Sequence, residues 1–261
     1  MQKISRIQTL FTHDKAYIAY LTAGDGGIER TLEAALALID GGVNMLEIGV
    51  PFSDPIADGP IIQRAAARSL AACTSLDDVL WLTKKIRQHS DIPLILFSYL
   101  NPILSGLQSD FLHDAKQAGI DGLLLVDCPM EESKHIQEQC KQNEIDLIYV
   151  ITSVTPLHRI RKIHSQAQGF IYYACRKGTT GVRQTLPEDF EEKMHLLKSI
   201  VQIPVVVGFG ISTNDMVNQV LEHADGVVVG SFFVKALEEG VQASGLSSLA
   251  RAMFLNSENS G

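Results

Sequence analysis

The stretch "LEIGVPFSDPIADGP", Leu46 to Pro60, places Glu47 inside an apolar run and then sets Asp54 and Asp58 in a segment interrupted by Pro51, Pro55 and Pro60. Burying an unpaired carboxylate in a strand costs free energy comparable to the whole stability margin of a domain. Two readings of Glu47 follow. Desolvation raises its pKa toward the range useful for proton transfer, or a buried Arg or Lys pairs with it. The segment after it can be neither strand nor helix interior, because proline removes backbone donors at short intervals. It must be a rigid loop with Asp58-Gly59 as its turn, and Asp54 and Asp58 are candidates for substrate, partner or turn duty.

Glycines supply a second kind of chemistry. "KGTTG", "GFGIS" and "VGSFF" each follow an apolar run late in the chain and offer backbone amides free of side chains. Three such motifs at consecutive strand ends point to a phosphate, held by amides and by the N-terminus of a short helix. Residues 176 to 187, "RKGTTGVRQTLP", have the length and composition of an active-site lid.

The rest of the composition narrows the classes. A net charge of -8 and the lack of a long Lys/Arg stripe argue against a nucleic-acid partner. No apolar run reaches the roughly 18 residues a membrane span needs. The first residues lack the apolar core of an export signal, so a soluble cytoplasmic protein is expected. Cys73, Cys128, Cys140 and Cys175 form no C-x-x-C pair, and none of the eight histidines falls in an H-x-H or H-E-x-x-H pattern. Neither a disulfide framework nor a metal site has a sequence pattern behind it.

Eight apolar runs position these groups: "AYIAYL", "MLEIGV", "LILFSY", "GLLLVD", "DLIYVI", "GFIYYA", "PVVVGF" and "GVVVGS". Each is followed by helical spacing, which means parallel strands covered on both faces. With 261 residues against about 250 for the typical case, the expected fold is a single (β/α)₈ TIM barrel over residues 1–254. Residues 255–261 form a polar tail expected to fray. The helix "IERTLEAALALID" aligns Leu32, Ala35, Leu36 and Ile39 and should end at Gly41-Gly42. Ser212 or Thr213 is the expected N-cap of a later helix. An N-terminal helix carrying Ile4, Ile7, Leu10 and Phe11 is expected to cap the barrel bottom. Along the second run Met45, Glu47 and Gly49 share one face and Leu46, Ile48 and Val50 the other. The second set suits the helices, so Glu47 should point into the barrel.

Taken together, these residues resemble the tryptophan synthase α-subunit family over essentially the whole chain. "LEIGVPFSDPIADGPIIQRA" is similar to that family's most characteristic segment, and "YLTAGD", "SYLNPI", "GIDGLLLVDCPMEES", "CRKGTTG", "GFGIS" and "GVVVGSFFVK" follow in the family's order. The resemblance implies a TIM barrel that cleaves indole-3-glycerol phosphate to indole and glyceraldehyde 3-phosphate, a retro-aldol reaction needing no metal or organic cofactor on this chain. It implies Glu47 as the acid/base, Asp58 as the carboxylate on the indole nitrogen, and Tyr172 as a tyrosine that hydrogen-bonds near the catalytic Glu. Gly181, Gly210, Gly230 and Ser231 match its phosphate positions; Tyr20, Tyr99 and Ile211 are expected to shape the indole pocket. Thr180 matches a lid threonine that contacts Asp58 on closure.

The resemblance further implies a β subunit carrying pyridoxal phosphate, an α₂β₂ assembly, and passage of indole between sites. Ser53, Asp54, Pro55, Asn101 and Pro102 would face that partner. The chain departs from the family's pattern at Gly26, where Pro is usual, at Lys177 and Thr179 in the lid, and at Cys128. Two competing readings are an α-like subunit that only activates its β partner, and another phosphate-binding barrel enzyme. The retained acids argue against the first, and the second has no need of "PFSDPIADGP".

Overall fold

Short runs rich in Val, Ile and Leu form strands because branched side chains pack well on a pleated surface buried on both faces. In the computed structural model, which describes residues 5–106, 110–175, 186–208 and 210–254, eight such strands appear. They are β1 (Ala16–Thr22), β2 (Met45–Gly49), β3 (Leu94–Ser98), β4 (Gly122–Leu125), β5 (Asp146–Thr152), β6 (Ile171–Ala174), β7 (Val205–Gly208) and β8 (Gly226–Val229). All pair in parallel and in sequence order, and β8 closes on β1. The expected (β/α)₈ barrel is what the chain forms.

The helices are α1 (Arg6–His13), α2 (Ile28–Asp40), α3 (Pro60–Ala71), α4 (Leu76–Arg87), α5 (Leu100–Gly106), α6 (Phe111–Ala118), α7 (Lys134–Gln142), α8 (Leu157–His164), α9 (Phe190–Ile200), α10 (Asn214–His223), α11 (Ser231–Glu238) and α12 (Ala243–Phe254). Strand alternation separates two cores. Ile18, Met45, Ile95, Leu124, Ile148, Val206 and Val228 fill the barrel, while Leu46, Ile48, Leu96, Leu123, Val207 and Val227 face the helices.

Local signals set the boundaries. Ser5 and Gln8 form a capping box at the start of α1, whose Ile7 is buried in the inner core beside Gly122 and Gly169. Both glycines lie at strand starts, so α1 covers the N-terminal end of the barrel, with Phe11 edge-on to Phe170 at 5.9 Å. Ile4 lies outside the described residues. Gly42 ends α2 with φ +102°, and the Val43 amide donates to the Leu38 carbonyl at 3.1 Å. Thr213, rather than Ser212, caps α10 by accepting from the Met216 amide.

One stripe differs from the periodicity. In α2 the buried residues are Thr31, Ala34, Ala35, Ala37 and Leu38, while Leu32, Leu36 and Ile39 are only partly covered. The helix packs against α4 and α12 as well as the sheet, so its small residues make the closest approach and its larger ones fill the flanks.

The loop after β1 also has its own geometry. Gly24, Gly26 and Gly27 all have positive φ, +78°, +78° and +109°. Proline, locked near −65°, cannot occupy the conformation of Gly26, so the departure at this position comes with a backbone that requires glycine.

Candidate active site

Glu47 pairs in register with Tyr20 on β1 and with Ile95 on β3, and all three point inward. Its side chain is 1% exposed, and neither carboxylate oxygen has a hydrogen-bond partner among the described residues. The ion-pair reading therefore finds no cation among the described residues. Burial alone pushes the Glu47 pKa up to about 8, so at neutral pH the group is a carboxylic acid able to give a proton.

Tyr20 lies beside it. A Cβ on Gly49 would overlap the Tyr20 hydroxyl, so the absence of a side chain at Gly49 is what lets this ring lie across the barrel mouth. The hydroxyl is 3.3 Å from the Thr22 hydroxyl, and the ring stands edge-on to Phe97 at 5.2 Å. Burial raises the Tyr20 pKa, and the nearby charges of Asp58 and Glu47 raise it further. Both carboxylates thus act on one point in space, which joins strand and loop into one site. Tyr172 on β6 repeats the device, its hydroxyl lying over Gly208, where a Cβ would overlap it.

Asp58 is held by the residue that follows β3. The Tyr99 hydroxyl donates to Asp58 Oδ2 at 2.9 Å and accepts from the Ala57 amide at 3.0 Å. Tyr99 in turn stacks on Phe52 at 5.0 Å. The Gln63 amide reaches back from α3 to the Asp58 carbonyl at 3.0 Å and the Pro55 carbonyl at 3.4 Å. Gln63 and Phe52 were not singled out by sequence reasoning. Glutamine five positions beyond a loop acid, on the first turn of the next helix, is the signal that was available.

Gly230 follows β8 and caps α11, and a Cβ added to it would lie 3.4 Å from the Tyr20 Cβ. Ser231 opens the helix, whose first-turn amides have no intrahelical acceptor. Gly210 has nothing among the described residues within 4 Å of an added Cβ. Ile211 is placed differently from the expectation for a pocket residue, since it is buried in the outer core between sheet and helices. Gly181, Thr180, Lys177, Thr179 and most of the expected lid lie outside the described residues, as do Phe209 and the 255–261 tail.

On the rim, Ser53 and Asp54 are exposed and bonded to each other at 2.6 Å, and Pro55 is partly covered. Ile56 is 84% exposed and Leu104 41%, the latter near the exposed Asn101 and the partly covered Pro102. Cys128 is half-buried, with its thiol pKa raised by burial and by Asp127.

No helix of the described chain is long and apolar enough to cross a membrane. Among the described residues one group can offer three metal-ligand atoms within 4.8 Å of one another: Glu191, His195 and His223. These lie on α9 and at the end of α10, three residues before β8 begins, and so toward the opposite end of the barrel from Glu47.

Comparisons with known proteins bear on the family and the fold. Residues 8–258 match the family model described as tryptophan synthase alpha chain. A tryptophan synthase alpha chain from Coxiella burnetii (strain CbuK_Q154) is 51% identical over 250 residues, 96% of this chain and 97% of that one. One from Chlamydia felis (strain Fe/C-56) is 44% identical over 255 residues, 96% and 98% of the two chains. Among solved structures, subunit alpha from Legionella pneumophila str. Paris superposes with a TM-score of 0.86 at 34% identity, covering 96% of this chain and 97% of the other. A chain of the tryptophan synthase complex from Pyrococcus furiosus gives 0.84 at 35% identity, covering 92% and 98%. With a matching family model over nearly its whole length and half of its residues shared with a relative, this chain belongs to the tryptophan synthase alpha chain family.

Proposed function

We propose that Glu47 and Asp58 carry out the family's reaction, the retro-aldol cleavage of indole-3-glycerol phosphate to indole and glyceraldehyde 3-phosphate. The observation that carries the assignment is Glu47, a buried acid with no hydrogen-bond partner among the described residues and with its pKa pushed up to about 8 by burial. It gives its proton to ring carbon C3. Asp58, held by Tyr99, stabilises the positive charge that then develops at the ring nitrogen. The Glu47 carboxylate takes the proton from the hydroxyl on the carbon attached to C3. As the carbon–carbon bond breaks, its electron pair returns to the ring, the aldehyde leaves, and Glu47 is an acid again. No metal or cofactor on this chain enters these steps. Tyr172 and Tyr20 line the cavity in which the ring lies, and the amides opening α11, with Gly230, Ser231 and Gly210, bind the phosphate; Gly181 and Thr180 complete that site.

The β-chain partner that the family name implies docks on the rim formed by Ser53 to Ile56 and by Asn101 to Leu104, in an α₂β₂ assembly whose pyridoxal phosphate sits on the other chain. Support comes from the exposed Ile56 and Leu104 beside the mouth and from a structural relative that is part of a tryptophan synthase complex. The cytoplasm is the expected location.

Indole release from indole-3-glycerol phosphate, measured with the chain alone and with its β partner, tests the reading. Wild-type activity that rises with the partner and falls by about 10²–10⁴ in Glu47→Gln is expected for a lost general acid. A Glu47→Gln chain that keeps most of its turnover removes Glu47 from this role. Absence of release under both conditions, with β-chain activity still stimulated, favours a purely activating subunit.

A further inference from the structure

The loop acid Asp58 and the phosphate helix α11 come from opposite ends of the sequence, yet one substrate must bridge them. Asp58 stands two residues before α3, whose N-cap is Gly59. Between α3 and α11 runs a chain of charged pairs. Asp25, 5% exposed in the β1 loop, receives both arms of Arg68, Nε at 2.6 Å and Nη2 at 2.8 Å. The Nη1 of Arg68 donates to Glu238 at 2.7 Å, and Arg64, one turn earlier on α3, donates twice to the same carboxylate at 2.8 and 2.7 Å. Ser69 adds a bond to the Ala23 carbonyl at 2.6 Å. The β1 loop therefore holds α3, and α3 holds the last residue of α11.

We infer that the Asp25–Arg68–Glu238–Arg64 chain is a positioning device that sets the spacing between the indole and phosphate halves of the substrate site. The inference rests on the reading of α11 as the phosphate helix. Guanidinium–carboxylate forks fix both distance and plane, which a point charge does not. The apolar residues that the two helices place in the inner core are Ile62 and Ala65 from α3 and Val234 from α11. The Arg64 side chain is half-exposed and that of Glu238 a quarter exposed. Pairs so placed add little to stability, so a geometric role and a merely stabilising one predict different measurements.

The test is steady-state cleavage of indole-3-glycerol phosphate by the full chain carrying Glu238→Gln. This change leaves Asp25 paired with Arg68, whereas Arg68→Ala would strand a buried acid. Inorganic phosphate and indole serve as competitive probes of the separate halves. The expected result is a KM raised about 3- to 10-fold through misplacement of the two halves. Each probe's inhibition constant should stay within about twofold of wild type, and Tm within about 2 °C. Arg68→Lys, which keeps the charge and loses the fork, should shift KM in the same direction. An unchanged KM overturns the inference, as does a KM rise matched by equal weakening of phosphate alone, which would mean local damage to α11. A wild-type chain that cleaves no substrate overturns the functional reading, and this inference with it.

Discussion

At the scale of single residues, Glu47 couples the proposed catalysis to stability. Its pKa is raised from 4.5 to about 8 by burial. Below the lower value the folded and unfolded chains both hold the proton. Between the two values only the folded chain holds it, so unfolding free energy falls by about 1.4 kcal/mol for each pH unit from this group. Above pH 8 the loss is complete. Glu47→Gln removes a titrating group while keeping its shape, so urea midpoints of the two proteins should differ least near pH 4.5 and diverge upward to pH 8, with the variant the more stable. Parallel pH profiles would mean that Glu47 ionises freely in the folded chain.

At the scale of elements, the bottom of the barrel is built by a repeated device. Asp121, just before β4, accepts from the Leu94 amide that begins β3 at 3.0 Å. Asp225, just before β8, accepts from the Val205 amide that begins β7 at 2.9 Å, and Asn44, just before β2, accepts from the Tyr17 amide on β1 at 2.7 Å. Each ties a strand's entrance to its neighbour by satisfying an amide that has no ladder partner there. Asp121 also pairs with Arg87 at 2.8 Å and Arg6 at 3.1 Å. Removing one member of so buried a pair is costly, so Asp121→Ala should lower unfolding free energy by about 3–5 kcal/mol. Because the proposed active site is at the other end, KM for the substrate should be unchanged in whatever fraction folds. A urea titration paired with a substrate titration checks both halves; a raised KM with normal stability would contradict this division of the barrel.

At the scale of the whole molecule, the barrel offers a rim of loops and keeps its apolar side chains inside, apart from a few. Ile56 and Leu104 are exposed beside the mouth. If this rim receives the β partner, Leu104→Asp should weaken association by about tenfold or more, since a desolvated charge replaces an apolar contact. Tm of the isolated chain should move little, because the side chain is already exposed. Sedimentation of the mixed chains gives the affinity; unchanged association would move the interface off α5.

The number and order of strands, the inward direction of Glu47 and the rigid loop after it were legible in the sequence, because they depend on strand alternation and on proline and glycine chemistry over a few residues. The lone mismatch of this kind, the buried stripe of α2, arose where neighbouring helices rather than periodicity chose the contact face. Partners far apart in the chain were not legible. Asp58 meets Tyr99 across 41 positions, and Arg68 meets Glu238 across 170. Glu191 and His195 meet His223 with no motif joining them. The sequence by itself determined which groups can do chemistry and which way a strand points them. Only the closure of β8 onto β1 decided which loops become neighbours, since closure is a property of all eight strands together and of no local segment.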